Sequence, residues 1–520
     1  MSEQGFDWSG GDQDGAAWQQ AVTEWWSPSS EPIVLRPTFT GYPFTLGVAS
    51  GSPGPTSVVL WTRLAPDPLH GGGMDEVTVP VCWEVADDEA FRRVARRGTA
   101  TALPGRGHAV HVEVTGLRAN RWYWYRFLVG DDESPHGRTR TAPAATAAVP
   151  RLRFGFGSCQ QYEQGYYAAH RHLADEDLDV MIFLGDYIYE SSWGRDFVRR
   201  HPAGEARTLD EYRDRHAQYK TDPDLQTVHR NVPWLVTWDD HEVDNDYADN
   251  RSEDLDPQFL TRRAAGYQAF FEHMPLRAVA RPKGPDMALY AHYDWGRLAR
   301  IHLLDERQYR SWQVCPRPGR GGANIVDSSC DELFDPDRTM LGRQQESWLE
   351  AGLVETKDRW NIIGSSVLMA RADPKKGNVS QYWTDAWDGY GPARQRLLQR
   401  VADAAINSCV VISGDAHSAY AADLKVDFTE GAPIVASEFC ATSITSQGRS
   451  AAETQTLLDE NAHLHYADSS KRGYGVIDLT PARATMRFRV LGNEKVRSTG
   501  VSTERTFFVR AGQPGVHEAS

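Results

Sequence analysis

The sequence predicts an α/β domain that is preceded by a small all-β sandwich. Short segments rich in β-branched and aromatic residues, separated by Gly, Pro and Asp turns, occupy residues 41–145. From residue 151 onward, strand-like segments alternate with helical patterns, which is typical of α/β organisation. Several of these strand-like segments are apolar throughout, as expected when both faces of a sheet are covered.

Changes in composition divide the 520 residues into an arm, two domains and a tail. Residues 1–40 are rich in Trp, Ser and Pro and are expected to form an irregular arm. Residues 41–145 contain "TSVVLWTRL", "VTVPVCWEV" and "WYWYRFLVG", which we expect to be strands of the β-sandwich. After a small-residue linker, residues 151–508 form the predicted α/β domain, and residues 509–520 are expected to be a mobile tail.

The charge and hydropathy of the chain exclude some classes of function. A net charge of −15 and a pI near 5.6 argue against a face that binds nucleic acid through its phosphates. No apolar stretch approaches the length that crosses a bilayer, and the opening "MSEQGFDWSGGDQDG" lacks an export pattern. The protein is therefore expected either in the cytosol or as a secreted or periplasmic mature form whose leader has been removed.

Four strand-like segments end in side chains that bind metal ions in proteins. These side chains are Cys159, Asp186, Tyr189, Asp239, Asp240, His241, Asp415 and His417. Ligands collect at the carboxyl ends of strands in open α/β sheets, so we expect these side chains to converge. Because several neighbouring carboxylates repel one another unless a cation lies between them, the pattern predicts a metal site.

The spacing within two of these motifs agrees with metal binding. Asp186 and Tyr189 in "LGDYIYE" are three residues apart, so a helix or tight loop can direct both to one site. A phenolate is a hard, anionic donor that suits a trivalent ion such as Fe³⁺. Asp415 and His417 in "SGDAH" are two residues apart and share one side of an extended backbone.

A third motif, "DDHEVDND" at 239–246, contains five carboxylates together with His241 and Asn245. Acidic runs of this kind are usually solvated loops. This run, however, directly follows the apolar segment "PWLVTW". We therefore expect part of the motif to lie at the site.

Taken together, these motifs resemble those of a known family. "SCQQYEQGYYAAHRHLA", "LGDYIYE", "VTWDDHEVDNDYADN", "LDERQYR" and "SGDAHSAY" are similar in type and order to the PhoD-like alkaline phosphatases and phosphodiesterases of the calcineurin-like metallophosphoesterase superfamily. The resemblance implies an α/β metallophosphoesterase sandwich, with two mixed sheets flanked by helices. It also implies that the preceding small all-β sandwich is the N-terminal domain of that family.

The resemblance further implies a role for each matching residue. Cys159 and Tyr189 match iron ligands, and Asp186 matches the carboxylate that bridges the metal ions. Asp240 stands where the wider superfamily has an asparagine, and its carboxylate suits Ca²⁺. His241 matches the catalytic histidine that faces the substrate phosphate.

The remaining implied ligands complete a centre with one Fe³⁺ and one or two Ca²⁺ ions. Asp415 is expected to serve calcium and His417 to serve iron. Asn245 is a further oxygen ligand or phosphate donor. Cys315 and Cys330 bracket a glycine-rich loop, and they are expected either to form a disulfide, which would agree with export, or to be free thiols.

This reading predicts an enzyme that hydrolyses phosphomonoesters, phosphodiesters or both, by in-line attack of a hydroxide held between iron and calcium. One alternative is a phosphodiesterase of the phospholipase D type that acts on phospholipids with the same fold. Another, from a different class, is a calcium-stabilised surface-binding protein without catalysis. Calcium sites alone do not require thiolate, phenolate and imidazole ligands, which favours the enzyme.

Overall fold

The computed structural model describes residues 32–35, 37–374 and 379–519. Most of the predicted arm at residues 1–40 therefore lies outside the described residues. The N-terminal part of the description contains eight strands, which are β1 Val48–Gly51, β2 Val58–Arg63, β3 Val79–Ala86, β4 Val94–Ala102, β5 Ala109–Val114, β6 Trp122–Val129, β7 Asp132–Glu133 and β8 Gly137–Arg140.

The rest of the described chain alternates strands and helices. Its strands are β9 Leu152–Gly157, β10 Val180–Leu184, β11 Trp234–Thr237, β12 Ala291–Trp295, β13 Ala299–Leu303, β14 Ile325–Asp327, β15 Trp360–Gly364, β16 Gln381–Trp383, β17 Cys409–Ser413, β18 Ala419–Lys425, β19 Ile434–Cys440, β20 Leu464–Asp468, β21 Gly473–Leu479, β22 Arg483–Leu491, β23 Val501–Arg510 and β24 Gln513–Glu518. Its α-helices are α1 Ala168–Ala174, α2 Leu209–Lys220, α3 Pro223–Asn231, α4 Phe259–His273, α5 Gly342–Glu355, α6 Gly391–Asp403 and α7 Ala451–Glu460.

Two large mixed sheets organise the α/β part. One has the order β24-β23-β22-β21-β9-β10-β11-β1-β2-β5, and the other has the order β12-β13-β15-β17-β19-β18-β20. Strands β9, β10 and β11 are mutually parallel neighbours in the first sheet, and β13, β15, β17 and β19 are parallel in the second. The carboxyl ends of these parallel strands carry the predicted ligands.

Hydrophobic side chains divide the molecule into layers. Phe156, Ile182 and Leu184 of the first sheet pack in one cluster with Ile362 and Ile412 of the second. The opposite face of the first sheet packs against helices α1, α3 and α4, and the opposite face of the second packs against α5 and α6. Strand β10 is buried along its whole length because both faces of its sheet are covered, and this explains why the segment is apolar throughout.

The N-terminal strands are continuous with the α/β part. Strands β1, β2 and β5 extend the first large sheet, because β1 pairs in parallel with β11 at Gly51 and Trp234. A second N-terminal sheet has the order β4-β3-β6-β7, with β8 also on β6. Val58 and Leu60 of the first sheet share a hydrophobic cluster with Val81 of the second.

The C-terminal residues differ from the prediction of a mobile tail over 509–520. Strand β24 pairs antiparallel with β23, and its Val516 is 7% exposed. The amide of Val516 donates to Asp423 Oδ1 at 2.8 Å, and the amide of Gly515 donates to Ser437 Oγ at 3.1 Å. The tail composition resembles a loop, but these partners come from distant parts of the chain and give it a strand.

Within the described residues, no helix combines the length and the apolar character that spanning a membrane requires.

Candidate metal centre

The predicted ligands follow the ends of strands from both large sheets, and four of them have a left-handed backbone. The φ angles are 58° at Cys159, 56° at Asp186, 58° at Asp415 and 49° at His417. This region is rarely occupied by side chains other than Gly, Asn and Asp, and such strain clusters at functional sites. Cys159 and His417 adopt this conformation although it is uncommon for their residue types, which supports a functional role for the loops that carry them.

Gly185 permits the close approach of two of these loops. Its φ is +104°, and a Cβ on it would lie 2.6 Å from both Cβ and the backbone nitrogen of Asp239. Only glycine tolerates both the conformation and the contact. The glycine of "LGDYIYE" thus allows Asp186 to lie beside the acidic loop that follows β11.

A first group of donors surrounds Asp186. One donor atom from each of Cys159, Asp186 and His417 lies within 4.8 Å of the others. The Tyr189 hydroxyl donates to Asp186 Oδ2 at 2.8 Å and lies 3.3 Å from His417 Nε2. Ser446 Oγ donates to the same hydroxyl at 2.8 Å. The structure thus brings thiol, carboxyl, phenol and imidazole side chains together.

Burial governs the protonation of this first group. It raises the pKa of the Cys159 thiol and of the Tyr189 phenol well above their usual ranges, and the charge of Asp186 adds to both effects. Burial likewise raises the pKa of the Asp186 carboxyl, and it lowers the pKa of His417 to about 3. Each of these groups therefore favours its neutral form. A cation among them would instead stabilise the anionic forms of the thiol, the phenol and the carboxyl.

A second group shares Asp186 and extends toward His241. Donor atoms of Asp186, Asp240 and His241 lie within 4.8 Å of one another. His241 Nδ1 is 2.7 Å from Glu190 Oε2, and its ring centroid is 4.1 Å from that of Tyr189. Burial opposes the charge on His241, but Glu190, Asp240 and Asp186 raise its pKa well above the usual value.

Arg307 supplies a positive charge to the acidic loop that follows β11. Its side chain is fully buried, and its Nε donates to Asp239 Oδ1 at 2.6 Å. Its Nη1 donates to Asp385 Oδ1 at 3.0 Å. Burial alone would raise the pKa of Asp240, but Arg307 and His241 hold that pKa below its usual value. Asp240 therefore keeps its negative charge in a buried position.

Glu242 fixes the geometry of the two loops that carry the site. Its carboxylate accepts the backbone N–H groups of Asp186 at 3.1 Å, Tyr187 at 2.5 Å and Asp239 at 2.9 Å. Burial raises the pKa of Glu242 to about 8. One buried side chain thus links the loop after β10 to the loop after β11.

Two predicted ligands lie at the edge of these groups. Asp415 is half-buried, and burial together with the charges of Asp239 and Asp240 raises its pKa well above the usual value. Asn245 donates from Nδ2 to Glu253 Oε2 at 3.0 Å, and its backbone N–H donates to Glu190 Oε1 at 3.4 Å. Asp415 does not belong to the two groups around Asp186.

Cys315 and Cys330 are joined by a disulfide whose sulfur atoms are 2.01 Å apart. The loop between them contacts the acidic loop, because the amide of Ala323 donates to Asp246 Oδ2 at 3.1 Å. The backbone N–H of Asp246 in turn donates to Asp240 Oδ2 at 2.7 Å. The bridged loop thus supports the backbone next to a predicted ligand.

Sequence reasoning did not single out Glu190, Glu242, Arg307 or Asp385. Glu190 and Glu242 are neighbours of predicted ligands in "DYIYE" and "DDHE", so their positions carried a local signal. Arg307 lies in the motif "LDERQYR", but nothing local indicates that it pairs with residues 68 and 78 positions away. Long-range contacts of this kind require the fold.

The donor set fits metal ions. Among the described residues, the buried atoms Asp186 Oδ1 and Asp239 Oδ2 have no hydrogen-bond partner. Buried carboxylate oxygens are normally satisfied, so these two are free to accept a cation. Thiol and imidazole donors suit a transition metal, whereas the carboxylate cluster suits a hard divalent ion.

The layered fold defines an α/β protein in which buried side chains that could hold a metal ion lie close together. The model of the PhoD-like phosphatase family matches residues 154–488, and the model of that family's N-terminal domain matches residues 29–143. The chain belongs to the PhoD-like phosphatase family, and it is a phosphoester hydrolase.

Individual relatives support the same assignment. Alkaline phosphatase D of Bacillus subtilis (strain 168) is 45% identical in an alignment of 501 positions that covers 94% of this chain and 84% of that protein. A solved structure described as "Structure of PhoD" superposes with a TM-score of 0.89 at 44% identity, and 93% of each chain is covered. The similarity thus extends across both predicted domains.

Proposed function

We propose that this protein hydrolyses phosphate esters at a centre that holds one Fe³⁺ and one or two Ca²⁺ ions. The observation that carries the proposal is the meeting of Cys159, Tyr189 and His417 at the carboxylate of Asp186. A site for calcium alone would not need thiol, phenol and imidazole donors. The mixture of donors favours one transition metal beside hard cations.

The donors divide between the two kinds of ion by their chemistry. Cys159, Tyr189 and His417 would hold iron, and Asp186 would be shared between ions. Asp240, with its retained negative charge, would hold calcium. Asp415 and Asn245 would contribute from the edge of the site.

When bound, the ions would supply neutralisation of the phosphoryl oxygens and activation of the attacking water. The protein's own contribution begins with Asp240 and Arg307, which keep a fixed pattern of charge in a buried site. Glu242 holds the loops of Asp186 and Asp239 in register through three backbone hydrogen bonds. The reacting groups therefore need little rearrangement when substrate arrives.

His241 is the catalytic residue that we assign to the substrate side. Its Nδ1 is occupied by Glu190 at 2.7 Å, which fixes the ring and stabilises its protonated form. The proton on Nε2 is then available to a phosphate oxygen or to the leaving oxygen of the ester. The side chain is 10% exposed, so little bulk water competes for this proton.

The proposal extends to architecture and location. The layered arrangement of helices, two mixed sheets and helices is consistent with the metallophosphoesterase sandwich, with residues 41–145 as the preceding β-sandwich and residues 151–508 as the catalytic domain. The disulfide between Cys315 and Cys330 favours a secreted or periplasmic mature protein, because such bonds persist in oxidising compartments.

The test combines activity with metal analysis. Purified protein is assayed with a nitrophenyl phosphomonoester, the corresponding diester and phosphatidylcholine, with and without EGTA, and its iron and calcium are measured. We expect hydrolysis of a soluble ester, loss of activity on chelation and recovery with Ca²⁺, since hard oxygen ligands exchange calcium readily. Hydrolysis of phosphatidylcholine alone would favour the phospholipase D alternative. Full activity after all metal has been removed would refute the proposed mechanism.

A further inference from the structure

Trp193 lies against two of the proposed iron ligands, although no motif pointed to it. It belongs to the loop that follows β10. The indole ring is parallel to the imidazole of His417, with ring centroids 5.5 Å apart and an interplanar angle of 7°. Its centroid is also 6.1 Å from that of Tyr189, at 42°. The indole ring therefore packs against the rings of both His417 and Tyr189.

The orientation of His417 depends on more than one contact. Its Nδ1 is 2.9 Å from the carbonyl oxygen of Gln447, which leaves Nε2 directed at the Tyr189 hydroxyl. One hydrogen bond fixes a ring nitrogen but permits rotation about the line of that bond. The parallel face of Trp193 restricts this rotation, which is the function of outer partners of ligating histidines.

Two glutamines hold the backbone of the loop that carries Trp193. Gln164 Nε2 donates to the carbonyl oxygen of Trp193 at 2.7 Å, and Gln164 Oε1 accepts the backbone N–H of Gln447 at 2.6 Å. The side chain of Gln447 exchanges two hydrogen bonds with the backbone of Arg195, at 2.5 and 3.2 Å. The loop of Trp193 is thus tied to the segment that also binds His417.

Gly194 completes this connection. Its φ is +90°, and a Cβ on it would lie 2.4 Å from Gln164 Nε2 and 2.9 Å from Gln447 Oε1. A side chain at this position would displace both glutamines. The close packing indicates that the position of Trp193 is built into the loop and is not incidental.

The indole nitrogen has an unused hydrogen. Trp193 Nε1 is buried and has no hydrogen-bond partner among the described residues. A buried donor without an acceptor is costly, and such groups in native proteins call for an explanation. The N–H belongs to a ring that lies beside His417 and Tyr189, which are proposed ligands of the centre that would bind the ester.

We propose that Trp193 is a positioning residue for His417 and that its indole N–H donates to an oxygen of the bound phosphate ester. This inference rests on the proposed function. The ring and the N–H contribute separately. The ring holds the imidazole plane and so favours retention of iron, and the N–H favours binding of substrate.

Two variants separate these contributions. Trp193→Phe keeps a flat ring against His417 but removes the N–H, and Trp193→Ala removes both. Trp348 offers a matched control, because it is also half-buried and stacks on a histidine, His292, at 6.0 Å and 19°. Trp348→Phe and Trp348→Ala are made in parallel. For every variant, iron content, visible absorption, KM and kcat on a nitrophenyl phosphate ester are measured.

For Trp193→Phe we expect unchanged iron, kcat within about twofold, and KM raised by about tenfold, the equivalent of one lost hydrogen bond. For Trp193→Ala we expect, in addition, weaker iron retention and a kcat reduced by about 10–100-fold, as for other outer partners of metal ligands. Both Trp348 variants should keep wild-type iron, KM and kcat.

Unchanged KM in Trp193→Phe would overturn the donor role, and wild-type iron in Trp193→Ala would overturn the positioning role. Loss of iron in the Trp348 variants equal to that in Trp193→Ala would show a general effect of lost packing and would also overturn it. Absence of iron from the wild-type protein is a different result, since it would contradict the proposed function itself.

Discussion

Tyr187 contacts two buried clusters of ionisable groups, which differ in the charge that they keep. One is the candidate metal centre, which the backbone of Tyr187 joins through its hydrogen bond to Glu242. The other is a basic cluster, which we define as His216, Lys220 and His229. The ring of Tyr187 contacts all of its members.

The basic cluster neutralises itself. Burial lowers the pKa of His216 and of His229 well below the usual value, and it lowers the pKa of Lys220 to about 7. Lys220 Nζ lies 4.3 Å from the ring centroid of Trp61, and the Tyr187 hydroxyl bonds His229 Nε2 at 2.8 Å. Neutral rings stacked in this way behave as packing.

In the candidate metal centre, burial favours the neutral forms of the first group of donors, but Asp240 does not follow this pattern. Arg307 and His241 keep Asp240 ionised, and the unpartnered oxygens of Asp186 and Asp239 remain available. The comparison teaches that burial of ionisable groups does not by itself identify a site. What distinguishes the centre is retained charge together with unsatisfied donor atoms that converge.

The largest effect is expected from Asp240→Ala. Because Asp240 is the proposed calcium donor, its removal should reduce kcat by more than the ~10–100-fold that outer partners of metal ligands contribute. Asp244→Ala is the matched control, because Asp244 lies in the same motif but its Oδ1 pairs with Arg262 at 2.9 Å. Steady-state kinetics under saturating calcium compare the two. If Asp244→Ala lowers kcat more than Asp240→Ala does, the calcium ligand within the acidic motif has been assigned to the wrong residue.

A smaller effect is expected from Glu190→Gln. The amide can still accept from His241 Nδ1, but it cannot stabilise the protonated ring, so we expect kcat to fall by about 10–100-fold with metal content unchanged. Glu205→Gln is the control, because Glu205 lies beside Glu190 but pairs with Arg262. Equal losses of kcat in the two variants would show that Glu190 acts only through its negative charge near the site and not through its hydrogen bond to His241.

The smallest effect on activity, but a distinct effect on stability, is expected from Lys220→Met. Because the pKa of Lys220 falls from 10.5 in the unfolded chain to about 7 in the folded protein, the unfolded chain binds more protons between these values. The free energy of unfolding should therefore rise with pH in this window, by up to about 1.4 kcal/mol for each pH unit. Below about pH 7 both states carry the ammonium, and this contribution to the slope disappears.

Denaturant unfolding between pH 6.5 and 10 would measure this slope for the wild type and for Lys220→Met. The variant should lose most of the rise and should be the more stable protein near neutral pH, while its kcat stays close to wild type. A slope that persists unchanged in the variant would mean that Lys220 is not the group responsible, and the basic cluster would then differ less from the metal centre than we infer.

The sequence predicted the convergence of the candidate ligand side chains better than it predicted the contacts that support them. Apolar strands that end in Asp186 or Cys159 are local patterns, so their convergence followed from the rule that ligands collect at strand ends. Arg307, by contrast, reaches Asp239 and Asp385 only after two sheets have packed together. Local residue patterns do not encode such contacts.

The strands at the two ends of the chain show the same limit. The residues at 513–518 have the composition of a loop, yet β24 forms because β23 and the side chain of Asp423 offer partners. The N-terminal strands were predicted as strands, but their continuity with β11 through Gly51 was not. Strand character is local, whereas pairing depends on the whole fold.

We propose that strand β10 delivers Asp186 and Tyr189 to a ferric ion. A phenolate on Fe³⁺ gives a visible charge-transfer colour that calcium and zinc do not produce, so Tyr189→Phe should lose the colour, retain less iron and turn over far more slowly, with its fold kept. Tyr187→Phe is the control, because its hydroxyl bonds His229 in the basic cluster and should affect stability alone, by about 1 kcal/mol. Visible absorption and iron content of the two variants, measured side by side, decide the matter. Loss of both signals in Tyr189→Phe alone is the predicted result, and unchanged colour and iron in that variant would contradict the account.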